Sequence, residues 1–228
     1  MQASTTSGTP DVAQQVDSSS AAANRGYWVD YDARQRLFYE GDEAERIYRL
    51  LSGAVMLSQT LRDGRRQVVD LIRPGEYFGF GDRTVQDSSA ETLMPSRVML
   101  WNSHAASGDP ELQQAIAGSL RLKVSRLHDH MTLLGRKTSI ERVASFLMRL
   151  VPECGRRICH GLPPAGHDAR AHEICMSRQE IGDYLGMTLE TVSRTLSQLK
   201  QQKLISCPKP TTIVINDLCR LCRQAALH

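Results

Sequence analysis

The stretch MSRQEIGDYLGMTLETVSRTLSQLKQQKLIS, Met176 to Ser206, carries two helical patterns separated by Gly186 and Met187. In the first, Ile181 and Leu185 share a face; in the second, Val192, Leu196 and Leu199 recur at i, i+4 and i+7. Ser177-Arg178-Gln179-Glu180 has the form of a capping box, which sets where the first helix starts. Gly182 suits the close approach of a crossing helix, Gly186 suits the left-handed residue that ends a helix, and Thr188 can cap the second. Two short amphipathic helices on a tight turn, followed by the β-prone run LISCPKPTTIVI (Leu204–Ile215), describe a winged helix-turn-helix. The same pattern also fits an ordinary αα-hairpin in a core.

The apolar stripe of the second helix leaves Leu189, Glu190, Ser193 and Arg194 facing elsewhere, at i, i+1, i+4 and i+5. A recognition helix presents such N-terminal residues to base edges in the major groove. Arg194 can donate two hydrogen bonds to guanine O6 and N7, Glu190 can accept from cytosine N4, and Leu189 can touch a thymine methyl. Ser177, Arg178, Thr188 and Thr191 lie at helix N-termini, suited to phosphate contacts that position without specifying. Glu190 and Arg194, at i, i+4, can equally pair with each other. The expected partner is double-stranded DNA.

Composition and charge agree with that partner and exclude other classes. The 228 residues are 41% hydrophobic and 23% charged, proportions of a globular chain long enough for two domains. Residues 1–138 hold 16 Lys+Arg against 17 Asp+Glu, whereas residues 139–228 hold 12 against 8, so the basic half contains the opening stretch. No apolar run approaches the ~18 residues of a membrane span. The first residues lack a basic segment followed by an apolar one, so no secretory signal is read there and the chain is expected to stay in the cytoplasm. Its six cysteines are then expected as thiols rather than disulfides.

Four segments follow along the chain. Residues 1–26 are rich in Ser, Thr, Ala and Gln and too poor in large apolar groups to fold alone. Residues 27–108 carry short β-prone runs punctuated by Glu40-Gly41-Asp42, Ser52-Gly53, Asp63-Gly64 and Pro74-Gly75, which argues for a β-sandwich or barrel. Residues 109–137 read as a long helix, with Asp109 as its cap and Pro110 at its first position. Within it Leu120, Leu127 and Leu134 repeat every seven residues, flanked by Ile116, Val124 and Met131. This stripe is the seam expected of a coiled-coil homodimer, interrupted by Lys123 and His130, with a helix packed on its own β domain as the alternative. Residues 138–228 hold a helical segment, a loop rich in Gly, Pro and His from Pro152 to His172, the opening stretch, the wing hairpin and a last helix capped by Asp217.

These residues resemble the Crp–Fnr family of bacterial transcription regulators. SRQEIGDYLGMT and ETVSRTL are similar to its helix-turn-helix signature, and EGDEAERIYRLLSGAVML and DGRRQVVDLIRPGEYFGF to its sensor domain. The resemblance implies an α+β fold: an N-terminal β jelly-roll of the cyclic-nucleotide-binding kind, a long dimerisation helix and a C-terminal winged helix-turn-helix. Leu189-Glu190-Thr191-Val192-Ser193-Arg194 matches the Fnr-like recognition helix, which implies TTGA half-sites in an inverted repeat. A two-fold dimer places its helices about 10 bp apart, as two such half-sites with a spacer of about six base pairs require. It also implies RNA polymerase as a partner. The iron–sulfur cysteines of Fnr proper are missing, since the first cysteine is Cys154. Phe80, Ser88 and Ser89 stand where the cyclic AMP type carries a glutamate and an Arg–Ser pair. No cofactor and no cyclic nucleotide are therefore expected, and the remaining likeness is to FixK-type activators of nitrogen-fixation and microaerobic genes. A cyclic-nucleotide-dependent regulator of the same fold is the alternative.

The cysteines add little chemistry. Cys219-x-x-Cys222 is a lone pair without a second pair at zinc spacing, and Cys154, Cys159 and His160 lie in the loop, so neither a metal site nor an enzyme is expected. Cys175 immediately precedes the DNA-binding unit, where an oxidised sulfur would carry charge beside phosphates. FixK-type sequences carry cysteine in this neighbourhood, and a thiol at the Ser177 cap would have a lowered pKa, so positions 175 and 177 are the candidate redox positions.

Overall fold

A computed structural model describes residues 26–80, 84–150, 170–173, 175–209 and 212–226. The expected N-terminal tail, apart from Gly26, and the loop residues Cys154, Cys159 and His160 lie outside them.

The N-terminal half is built from eight strands: β1 (Tyr27–Tyr31), β2 (Arg36–Phe38), β3 (Arg46–Ser52), β4 (Val55–Thr60), β5 (Arg66–Ile72), β6 (Tyr77–Phe78), β7 (Ser89–Thr92) and β8 (Ser96–Asn102). They form two antiparallel sheets with orders β1-β8-β3-β6 and β2-β7-β4-β5. Period-two alternation turns Tyr48 and Leu50, Val55 and Leu57, and Val98 and Leu100 inward, where they are buried between the sheets. Phe38, Tyr48 and Phe78 pack their rings there, with Tyr48 5.1 Å from Phe38 and 5.2 Å from Phe78.

A short helix α1 (Ser103–Ser107) leads to α2 (Pro110–Arg136). Asp109 caps α2 by accepting from the N–H groups of Glu111 and Leu112 at 3.0 and 3.1 Å, with Pro110 in the first turn. Its start is held by apolar contact of Leu112 and Ile116 with Tyr77 and Ala106. Further along the same side, Lys123 pairs with Asp70 at 3.2 Å, Arg126 pairs with Glu76, and His130 stacks on Tyr184 at 4.3 Å. Lys123 and His130 therefore do not interrupt an intermolecular seam. They belong to the face that α2 turns toward its own chain.

The C-terminal half contains α3 (Ser139–Arg149), β9 (Arg170–Glu173), α4 (Arg178–Leu185), α5 (Leu189–Gln201), β10 (Ile205–Lys209), β11 (Thr212–Ile215) and α6 (Leu218–Gln224). Phe146, Leu147, Leu185, Val192, Leu199 and Leu221 form its core. The stretch read as a loop through His172 ends instead in a strand: β9 pairs with β11, so the wing is a three-stranded sheet of order β10-β11-β9. An exposed β11 edge left by a two-stranded hairpin is thereby covered.

The helix-turn-helix is made by two glycines with different tasks. Gly186 ends α4 in the left-handed region, φ 62° and ψ 45°. Gly182 lies under the turn, where a Cβ would stand 2.6 Å from the carbonyl oxygen of Met187. Arg142, on α3, then ties the ends together by donating to the carbonyls of Leu134 (2.7 Å), Lys137 (2.9 Å) and Leu185 (3.0 Å), a cation placed at two helix C-termini.

Gly182→Ala is expected to destabilise the C-terminal half by about 1–3 kcal/mol, because backbone must move to admit the methyl; denaturant unfolding followed by circular dichroism reads this. Burial, reinforced by Arg149 and partly opposed by Asp70, pushes the His130 pKa down to about 4. The unfolded chain takes up that proton near pH 6.5 and the folded chain only near pH 4, so stability is lost as pH falls through this window. His130→Phe keeps the stack without the titration, and its melting temperature should fall less steeply than that of the unaltered protein between pH 6.5 and 4.

Candidate nucleic-acid interface

Helix α5 is seated by one face and open on the other. Val192, Leu196 and Leu199 are buried, and Thr195, also buried, donates its hydroxyl to the Thr191 carbonyl at 2.7 Å. Thr188 caps the helix by accepting from the Thr191 N–H at 3.2 Å, and the two threonine hydroxyls share a hydrogen bond of 2.8 Å. On the open face Leu189 is 47% exposed. Glu190 and Arg194 are exposed beside it, and Ser193 is half-buried. Among the described residues neither Glu190 nor Arg194 enters an ion pair, so the i, i+4 pairing open to them is not made and both heads are free to meet base edges. Ser193 differs from the other three, because its hydroxyl accepts from Arg178 Nη1 at 3.4 Å and so links the first residue of α4 to α5.

Helix α4 sets the rim of this face. Ser177 caps it, accepting from the Glu180 N–H at 3.2 Å, while the Glu180 carboxylate accepts from the Ser177 N–H at 2.7 Å. Ser177, Arg178 and Thr188 are exposed, and Thr191 is half-buried. Two lysines not singled out in the sequence join them. Lys200 and Lys209 line, with Arg178, Ser197, Cys207 and Pro208, a cleft between α5 and the wing. Lys200 is seven residues from Ser193, and that spacing was the available signal; Lys209 shows its relevance only once β10 folds back beside α5. The cleft carries three cations and no carboxylate, a field suited to a polyanion.

The six residues expected to form a seam on α2 divide into two sets. Leu120 and Leu127 are each 36% exposed, Val124 50% and Met131 69%, all on one side of the helix. Ile116 is 6% exposed, because it packs against the first half of the chain, and Leu134 packs against the C-terminal core. The free stripe is therefore the middle of the helix, rotated away from the Lys123–His130 face.

Of the positions compared with a nucleotide site, Phe80 packs against the apolar cluster of Tyr77, Ala106, Leu112 and Ile116. Ser88 is buried with its hydroxyl donating to Asp87 at 2.9 Å, and Ser89 accepts from the Glu40 N–H at 2.9 Å. Asp87 beside Ser88 opposes an anion there. Cys175 is half-buried, with its sulfur 3.8 Å from the Met94 sulfur in the turn between β7 and β8, so it faces the N-terminal half rather than the open face of α5. Cys222 is buried in the C-terminal core. No group of three or more potential metal ligands clusters among the described residues.

Comparison with known proteins covers both halves. Residues 141–224 match the family model of the Crp-like helix-turn-helix domain, and residues 28–106 that of the cyclic nucleotide-binding domain. The nitrogen fixation regulation protein FixK of Azorhizobium caulinodans is 37% identical over 185 residues, 79% of this chain and 72% of that protein. FixK of Rhizobium meliloti is 32% identical over 188 residues, 81% of each. The structure of FixK2 from Bradyrhizobium japonicum matches with a TM-score of 0.71 at 33% identity, covering 87% of this chain and 96% of that one. None of the described helices is long and apolar enough to cross a membrane. Likeness of this extent, spread over the sandwich, the long helix and the winged half together, means that the chain belongs to the Crp–Fnr family of DNA-binding transcription regulators and is not an enzyme.

Proposed function

We propose that the protein is a FixK-type regulator that binds TTGA–N6–TCAA-like inverted repeats as a homodimer, without a small-molecule effector. It acts mainly as an activator of nitrogen-fixation or microaerobic genes in the cytoplasm, with RNA polymerase as its further partner. The observation that carries this reading is the free triad of Leu189, Glu190 and Arg194 on a helix whose other face is fully buried. A guanidinium, a carboxylate and an apolar group in that order suit a guanine, a cytosine and a thymine methyl. The gene class rests on the nitrogen-fixation names of the two FixK relatives.

The dimer is supported by the exposed middle of α2. Leu120, Val124, Leu127 and Met131 are left partly exposed by the described residues, and a second copy of the helix would bury them further. Effector independence is supported by the lack of an arginine and a carboxylate at Phe80, Ser88 and Ser89, and by the ring-filled sandwich interior. The family model matched by residues 28–106 favours the second reading, a cyclic-nucleotide-dependent regulator. Gel shift with purified protein separates the two: binding to the inverted repeat with nothing added is expected, and cyclic AMP should give no heat in calorimetry.

Two mutant comparisons test the rest. Arg194→Ala should lose roughly 1–3 kcal/mol per half-site and relax preference at the G·C pair, whereas Arg178→Ala should weaken all sequences alike and flatten the salt dependence by about one phosphate contact per half-site. Affinities for the repeat and for a variant with its G·C pairs swapped, across a salt series, distinguish them. Val124→Glu with Met131→Glu places carboxylates on the free stripe of α2. Sedimentation at micromolar concentration should then show monomers where the unaltered protein gives dimers.

A further inference from the structure

Two arginines of the β-sandwich hold both acidic side chains on the inner face of α4. Arg34, in the turn between β1 and β2, has φ 65°, a left-handed conformation that non-glycine residues seldom adopt. Its backbone N–H donates to the Thr92 carbonyl at 2.9 Å, which holds that turn. The guanidinium reaches Glu180 Oε1 at 2.5 Å, Glu180 Oε2 at 3.2 Å and the Cys175 carbonyl at 2.7 Å. Arg66, at the start of β5, donates from Nε to Asp183 Oδ2 at 2.9 Å. The side chains of Glu180 and Asp183 are 7% and 9% exposed, whereas those of Arg34 and Arg66 are 43% and 34% exposed, so each pair is buried on its carboxylate side and open to solvent on its arginine side. Glu180 and Asp183 lie one turn apart on α4, away from the exposed Arg178.

The two halves are also joined covalently through Lys137 and Thr138, both in extended backbone between α2 and α3, and beside that junction by Arg142, which bonds the Leu134 and Leu185 carbonyls, and by the stack of His130 on Tyr184. Met56, Val68 and Leu93 of the sandwich share a core with the C-terminal half. Apolar contact holds surfaces together but is non-directional, whereas a forked arginine on a carboxylate defines an angle. Arg73 adds a longer bond, 3.3 Å, to the Arg149 carbonyl.

We propose that Arg34 and Arg66 are positioning residues that lock the helix-turn-helix at one orientation to α2, and thereby set the half-site spacing the dimer accepts without any bound effector. The inference rests on the dimeric DNA-binding reading above. A head free to pivot about Lys137 and Thr138 would present both α5 helices at the required separation only part of the time. Affinity for the two-site repeat falls in proportion to that fraction, while affinity of one head for one half-site does not.

The test uses the full chain and three DNA duplexes: a single TTGA half-site, the repeat with a six-base-pair spacer, and repeats with spacers one base pair shorter or longer. Arg34→Gln with Arg66→Gln should bind the single half-site within about twofold of the unaltered protein, weaken on the six-spacer repeat by about tenfold, and lose most spacer discrimination. Arg66→Asp alone should behave similarly, and Arg66→Asp with Asp183→Arg, which restores an ion pair in reverse, should regain discrimination. A double variant that keeps wild-type spacer preference overturns the proposal. So does one that loses half-site and repeat affinity equally, since that is a loss of the head itself, and so does failure of the exchanged pair to rescue. If the unaltered protein ignores the repeat while binding other DNA, the reading of the inverted repeat fails first, and the locking role falls with it.

Discussion

The buried carboxylate of Glu180 is the interaction on which the geometry of the C-terminal half depends. It closes the capping box on the Ser177 N–H and meets Arg34 from the sandwich, so a single side chain both starts α4 and anchors it to the other half. Burial pushes its pKa up, but Arg34 and the hydrogen bonds from Ser177 outweigh that and hold the carboxyl below its ordinary value of 4.5. The carboxylate is therefore charged in the folded protein, and this part of the stability is present above that ordinary value and lost as pH falls through the lower folded one.

The same division of faces organises α2 and α5. Each is a helix with one side committed to its own chain and one side that the described residues leave exposed. In α5 the committed side is mainly apolar, Val192, Leu196 and Leu199, with Thr195 bonded back to its own helix, and the open side is mixed. In α2 the committed side is mixed, with Lys123, Arg126 and His130, and the open side is apolar. Polar groups on an inward face are tolerated where each finds a counter-charge or a ring, and the open faces have the chemistry of what they would meet: nucleic acid at one, another apolar helix at the other.

Much of the architecture was legible in residue types. Asp109-Pro110 gave the start of α2, Ser177–Glu180 the start of α4, and Gly186 its end, because caps and left-handed turns are local chemistry needing only a few neighbouring residues. The open face of α5 was legible too, as the complement of a regular apolar stripe. Lys209 was not, since its place beside α5 depends on a strand folding back, and β9 was hidden within a polar, glycine-rich run because an edge strand of a wing needs no continuous apolar pattern.

Periodicity and capping act over a few residues, so where elements begin and end and which faces could be apolar was already written in the residue order. Tertiary structure alone decided which of the adjacent faces of α2 turns inward. Ile116, Leu120, Leu127 and Leu134 look alike along the chain, yet Ile116 and Leu134 pack against the two halves while Leu120 and Leu127 remain at the surface. Tertiary structure also turned Cys175 toward Met94, and joined Arg34 to Glu180 across 146 residues. Such choices depend on which surfaces the rest of the chain brings to each position, and no local pattern carries that information.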